Sequence, residues 1–281
     1  LLYTYEVSVP PYLYKELFTN VGTISNRGVE LSLKGVAVRT ENFNWTSILT
    51  FAYNKNRLDK FTNEEFTNDS YDLGWIGGAI GVNSQKLREG QSLGTFYGPV
   101  WIGLDELGKD LFKNANPVGQ VNPEDWEVIG NAFPDFTLGW SNMFSWGDWD
   151  MSIAMRASIG GQVLNTYRLY YENWGGIGLN NVVLSQYENP EFTGNARYSS
   201  KYVEDASFLK VDNISLGYNF ALESKYISRL RMYATAQDVW TLTGYKGLDP
   251  EVNLGGLTPG IEYLSYYPRT TLLTLGVQVS F

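Results

Sequence analysis

Between residues 149 and 160 the chain alternates with a period of two. Trp149, Met151, Ile153, Met155, Ala157 and Ile159 take one parity, and Asp150, Ser152, Ala154, Arg156, Ser158 and Gly160 take the other. Successive side chains of a strand point to opposite faces, so one face is apolar and the other polar or small. The pattern returns over 268–281, where Leu273, Leu275, Val277, Val279 and Phe281 oppose Thr274, Gly276, Gln278 and Ser280. Over 136–146, Phe136, Leu138, Trp140, Phe144 and Trp146 oppose Thr137, Gly139, Ser141 and Ser145, with Asn142 as the one misfit. Weaker alternation predicts strands over 29–40, 45–55, 207–220 and 229–242. In the last two, Lys210, Asp212 and Asp238 fall on the apolar parity, which predicts strand ends standing above an apolar layer, or bulges.

A soluble β-sandwich also alternates. Three features point instead to an all-β transmembrane antiparallel barrel. The strands run to roughly 10 residues or more, against about 5–6 in soluble sheets. Aromatic residues sit near strand ends at Trp45, Trp146, Trp149, Trp240 and Phe281, where a girdle would meet lipid headgroups. The connections also alternate between short (41–44, 147–148, 221–228) and long (57–91, 161–206, 243–267), as tight periplasmic turns and long external loops do. With the last strand descending, the short turns all fall on one side. One stretch breaks the count: 92–104 has no partner, so either an ascending strand lies between Leu111 and Val128 or 92–104 belongs to an external extension.

Composition narrows the chemistry. The chain has 281 residues, 43% of them hydrophobic and 18% charged, which supports a folded core. No window approaches the ~18 apolar residues of a spanning helix. A net charge of −9 without Lys/Arg clusters argues against nucleic acid as a partner. Cysteine and histidine are both absent, which removes disulfides, thiolate nucleophiles, Cys/His zinc sites and imidazole-based triads. Residues 1–11 carry no basic segment and no cleavable apolar stretch, so a mature form or a piece of a longer barrel protein is expected.

Several stretches resemble the SusC-like TonB-dependent outer-membrane transporters. Residues 20–33 (NVGTISNRGVELSL) are similar to the family's N-x-G-x-x-x-N-x-G-x-E pattern, and 89–103 (EGQSLGTFYGPVWIG) to E-G-x-x-x-G-x-F-Y-G. Residues 129–139 (IGNAFPDFTLG) and 202–218 (YVEDASFLKVDNISLGY) match two further motifs. The segment 247–270 (GLDPEVNLGGLTPGIEYLSYYPRT) looks like the loop before the family's final strand. The resemblance implies that 1–281 is the C-terminal portion, about 8–10 strands, of a 22-stranded plugged barrel, with the plug domain and TonB box outside this chain. It further implies TonB-energised nutrient import at the outer membrane of a Gram-negative bacterium, oligosaccharide before oligopeptide. The partners so implied are a SusD-like surface lipoprotein, the TonB-ExbB-ExbD machinery and outer-membrane lipid. Where relatives carry an acidic D-x-N-G-D-G stretch, 113–120 reads KNANPVGQ, so no metal and no cofactor is expected.

No enzyme chemistry stands out. The carboxylate pairs Glu64/Glu65, Glu204/Asp205 and Asp249/Glu251 would suit acid–base catalysis, but also read as solvated loop residues and turn formers. The glycine runs 74–81 and 175–178 lack the Lys and Ser/Thr of a phosphate loop. Loop aromatics are the binding candidates: Trp75, Trp174, Tyr245, Tyr263, Tyr266 and Tyr267 offer flat rings to a ligand or to the lipoprotein. Arg156 lies on a polar strand face, where it would hold an anionic group or pack on the plug. The rival readings are a passive small porin or adhesin barrel and a soluble β-sandwich binding module.

Overall fold

A computed structural model describes residues 2–6, 13–20, 22–61, 70–78, 80–116, 119–178, 180–188, 190–222, 226–252 and 255–281. Its main element is a wall of seven antiparallel strands: β1 (Thr23–Arg39), β2 (Phe43–Lys60), β3 (Phe136–Trp146), β4 (Trp149–Ile159), β5 (Phe208–Phe220), β6 (Arg229–Thr243) and β7 (Leu272–Ser280). The strands lie side by side in chain order, so each hairpin pairs locally. The wall is not closed within this chain, and β1 and β7 are its edges.

Register converts the period-two pattern into two continuous surfaces. Val38, Trp45, Phe144, Met151, Leu216, Ala234 and Leu275 are successive cross-strand partners, an apolar row through all seven strands. One residue along, Arg39, Asn44, Ser145, Asp150, Gly217, Tyr233 and Gly276 form a polar or small row on the opposite face. The apolar face is left uncovered: Leu275 is 87% and Val277 60% exposed, while Ile153 and Met155 are half-buried among their wall neighbours. A β-sandwich would bury this face against a second sheet, so that reading fails. A large uncovered apolar face is what a strand wall in lipid requires.

The misfit Asn142 is explained by this face. Its side chain is buried and its Oδ1 accepts a hydrogen bond from Trp45 Nε1 at 2.9 Å. Trp140 Nε1 likewise donates to Ser47 Oγ at 2.9 Å. Polar atoms cannot be left unpaired in hydrocarbon, and the indoles of neighbouring strands satisfy them.

Among the described residues the wall has seven strands, where about eight to ten are expected, and Leu2–Glu6 pairs with Glu16–Asn20 as a separate hairpin. Because β2 pairs directly with β3, Phe51 opposite Leu138, the connection from 61 to 135 leaves and returns at the same rim. Its described strands lie outside the wall. Thr95–Gly98 joins Ser70–Ile76, Val82–Arg88 and Glu127–Asn131 in a four-stranded sheet, and Trp101–Leu104 pairs with Asp110–Phe112. The stretch 92–104 is therefore a rim extension, and no wall strand lies among the described residues of 111–128. β1 and β2 also run beyond their expected bounds of 29–40 and 45–55. Past Val29↔Tyr53 the ladder runs through the polar pairs Arg27↔Lys55 and Asn26↔Asn56 to Ile24↔Leu58, where Leu58 is buried with Phe61 and Leu87 under the rim, so the regular alternation marks only the part with a continuous apolar side.

The buried core sits at the rim, not in the wall. Ile76, Phe96 and Ala132 come from the first long connection, Leu164, Leu169, Tyr198, Tyr202 and Val203 from the second, and Ile261 from the third; together they form one cluster. The three long connections thus fold as one lobe over one end of the wall. The ends of the short links, Arg39 and Phe43, Trp146 and Trp149, and Phe220 and Arg229, lie at the other end.

A bulge sets the phase of β5. Ala154 opposes Asn213 and Met155 opposes Val211, leaving Asp212 as an extra residue against β4; against β6 the excess lies on β6, where Asp238 and Val239 face the single Asp212. Below the bulge Ile214 and Leu216 are on the apolar face, and above it Leu209 and Val211 are, which turns Lys210 to the polar side. Deleting Asp212 closes the bulge against β4 and leaves Leu209, Val211 and Ile214 alternating regularly with Lys210 and Asn213, so the deletion variant is expected to keep every side chain on its face and to give the parent's heat-modifiable folded band on SDS gels. A deletion variant that fails to assemble would refute this account of the phase.

Candidate functional site

The polar face carries one concentrated charge cluster just under the rim lobe. Arg156 on β4 and Lys210 on β5 are direct cross-strand partners, two cations side by side. Such a pair repels unless carboxylates intervene, and the third connection supplies them. Lys210 Nζ lies 2.8 Å from Asp249 Oδ1 and 3.1 Å from Glu251 Oε2. The Arg156 guanidinium grips both Glu251 oxygens, the Oε2 contact at 2.7 Å, and its Nε reaches Asp212 Oδ2 at 2.8 Å. Arg269, just ahead of β7, closes the ring with Nε 3.2 Å from Asp249 Oδ2 and Nη2 2.9 Å from Glu251 Oε2. Burial alone would raise the Glu251 carboxyl, but the bonds from Arg156 and Lys210 outweigh it and hold the group at about 2. Two-point Arg–carboxylate contacts of this kind are the strongest charged hydrogen bonds.

The cluster is a latch. It ties the segment 249–251 to the wall strands and so fixes where the rim lobe sits. Beside it a cavity of about 610 Å³ opens on the polar face, lined by Thr50, Thr137, Arg156, Phe208, Glu251 and Val252 among others. Arg156, expected to hold an anionic group or pack on a plug, has its guanidinium engaged by Asp212 and Glu251.

A second network holds the lobe together. The buried Glu262 carboxylate accepts from Tyr245 Oη at 2.8 Å and from the backbone N–H groups of Leu248 at 2.8 Å and Asp249 at 3.2 Å. Arg168, on the short helix Thr166–Tyr171, binds Glu172 at 2.7 Å and also Glu204, whose other oxygen takes the Lys246 N–H. Burial raises the Glu262 carboxyl and, with Glu262 beside it, pushes the Tyr245 phenol far above its ordinary value. These bonds splice the second and third connections into one body.

The structure separates the loop aromatics. Trp75, Tyr263 and Tyr267 are exposed, Tyr267 by 81%. Trp174 is half-buried with its ring edge-on to Tyr187 at 5.1 Å. Tyr245 is buried on Glu262, and Tyr266 donates to the Glu251 carbonyl at 3.2 Å; both serve the loop itself. The carboxylate pairs are likewise occupied: Asp249 and Glu251 in the latch, Glu204 on Arg168, and Asp205 accepting from Ser207 N at 2.8 Å and Oγ at 2.6 Å. Glu64 and Glu65 lie outside the described residues. Among the girdle residues, Trp146, Trp149 and Phe281 stand at the short-turn end and Trp240 at the rim end, all exposed. Trp45 lies at the short-turn end with its N–H committed to Asn142. Lys210, Asp249, Arg269 and Arg168 were not singled out as site residues from sequence. For Lys210 the available signal was a lone cation on the wrong parity.

No protein-family model matches the chain. It is 28% identical over 297 aligned residues to "TonB-dependent receptor P3" of Formosa agariphila, covering 93% of this chain and 29% of that protein. It is 27% identical to "TonB-dependent receptor SusC" of Bacteroides thetaiotaomicron, covering 100% of this chain and 29% of that one. Among solved structures, the RagAB peptide transporter superposes with a TM-score of 0.76 at 25% identity, over 95% of this chain and 30% of that chain. The RagAB peptide importer in its open-open state gives a TM-score of 0.76 at 26% identity, over 99% and 32%. The chain thus spans about 30% of the length of these relatives. By its wall, its rim lobe and these likenesses, the chain resembles a stretch of the barrel of SusC-like TonB-dependent receptors of the Gram-negative outer membrane.

Proposed function

We propose that the protein to which this chain belongs is an energised outer-membrane importer, and that 1–281 is the C-terminal part of its barrel. The observation that carries this is the continuous apolar row from Val38 to Leu275, backed by a polar face and capped by a lobe built from all three long connections. In this reading the lobe is external, the polar face looks into a plugged lumen, and a SusD-like lipoprotein seats on the lobe. TonB, acting on a plug that precedes this chain, opens the path past the latch. Exposed flat rings at Trp75, Tyr263 and Tyr267 support an oligosaccharide cargo, since such rings stack on sugar faces. The likeness to peptide importers supports an oligopeptide as the second reading.

Affinity purification of the full-length protein from outer membranes is expected to recover a surface lipoprotein. Uptake of its cargo is expected to stop in cells lacking TonB. Uptake that persists without TonB would favour a passive pore, and a protein purified without detergent would refute the barrel reading altogether.

A further inference from the structure

The apolar face is not smooth. At its short-turn end a groove of about 410 Å³ opens between β2, β3, β4 and β5, walled by Phe43, Phe144, Trp146 and Trp149 and floored by Met151, Ile153 and Leu216. These side chains belong to the uncovered apolar face; Asp150 also borders the groove, on the polar parity and with its carboxylate held by Arg231, and no Lys or Arg lines it. From Trp149 to Ile153 it extends four residues along β4, about 13 Å of strand. At a strand tilt of roughly 40° that is about 10 Å of depth, within one leaflet of a hydrocarbon core ~30 Å thick. Rings frame its mouth, Trp149 edge-on to Tyr218 at 4.9 Å and Tyr218 edge-on to Phe220 at 4.8 Å. The Tyr218 hydroxyl reaches Asp148 Oδ2 at 3.5 Å, which sets a carboxylate beside the mouth on the lipid side.

We propose that this groove is a binding site for one acyl chain of a zwitterionic aminophospholipid from the periplasmic leaflet, its ammonium group facing Asp148. The inference rests on the outer-membrane barrel reading and adds a defined lipid to it. An acyl chain fits because the groove is apolar along its length and spans a single leaflet. An amine headgroup fits because the charge at the mouth is negative: an anionic phosphate ester without an amine would meet Asp148 with no cation lining the groove to offset it. Exposed indoles at Trp146 and Trp149 place amphipathic rings at headgroup level.

The test uses the full-length protein, delipidated in detergent and titrated with dioleoyl phosphatidylethanolamine or dioleoyl phosphatidylglycerol under native mass spectrometry. The expected result is one retained phosphatidylethanolamine, bound about fivefold more tightly than phosphatidylglycerol, with the preference abolished by Asp148→Asn. Leu216→Trp, which fills the groove without adding charge, is expected to weaken retention about tenfold. Equal binding of the two lipids by the parent, or undiminished retention by Leu216→Trp, would overturn the proposal. Should Leu216→Trp fail to assemble, brominated-chain phosphatidylethanolamine decides. It must quench the parent's indole emission more than that of the W146F/W149F double variant, and equal quenching overturns the site. A protein that stays soluble without detergent would sink the barrel reading itself, whereas indifference between lipids sinks only the groove.

Discussion

Leu275→Arg is expected to destabilise the folded protein in bilayers by about 2–4 kcal/mol, whereas Thr274→Arg, one residue earlier, is expected to cost less than about 1 kcal/mol. Leu275 lies near the middle of β7, 87% exposed on the apolar face, with Ala234 as its cross-strand partner. A guanidinium there must enter hydrocarbon or drag water and headgroups toward it. Thr274 projects to the opposite face, where an added charge stays in a polar environment. Urea-dependent folding of the full-length protein into liposomes, followed by heat-modifiability, measures both. Equal penalties at 274 and 275 would mean that the two faces do not differ in solvent, and the lipid assignment would fall. A soluble protein gives no such contrast, because a charge on an exposed position is nearly neutral in water.

Lys210→Met is expected to cost about 3–5 kcal/mol, expressed as release of the rim lobe rather than loss of the wall. The Lys210 and Asp249 side chains are 5% and 6% exposed, so removing the cation leaves the buried Asp249 Oδ1 unpaired and the half-exposed Arg269 as the carboxylate's remaining cation. Hydrogen exchange over 247–252 should rise sharply while exchange in β3 and β4 stays slow. The double variant Lys210→Met/Asp249→Leu removes both charges and should recover part of the loss. Unchanged exchange in the single variant would show that the latch does not hold the lobe. Glu251 adds a pH dependence whose sign follows from its depressed value. A carboxylate held at about 2 against an ordinary 4.5 contributes its full stabilisation above pH 4.5. That contribution declines as the pH falls from about 4.5 towards 2. Acid loosening of the lobe should therefore begin below pH 4.5, and Glu251→Gln should remove that dependence.

The amphipathic strands, their turn ends and the lipid-facing parity were legible residue by residue. In β3, β4 and β7 each side chain's face is dictated by its solvent, and a strand's period of two is local to the backbone. The seven-strand register rows add partners to this pattern without changing it. Resemblance to the SusC-like group was legible in stretches such as 202–218, which contains the bulge at Asp212 and the cation Lys210.

The tertiary structure alone decided what depends on partners distant in sequence. Alternation read straight through 207–220 puts Lys210 on the greasy side; only pairing with β4 reveals the extra residue that turns it inward. Arg156 read alone is a free cation, and only the return of the chain some ninety residues later brings Glu251 onto it. The continuation of β1 and β2 into the rim, where Leu58 is buried beside Phe61 and Leu87, and the placement of 92–104 in the rim lobe leave no periodic trace because neither presents a continuous greasy face. Solvent acts on each residue separately and writes itself into local order, while ion pairs, bulges and shared cores are agreements between segments that the chain brings together only on folding.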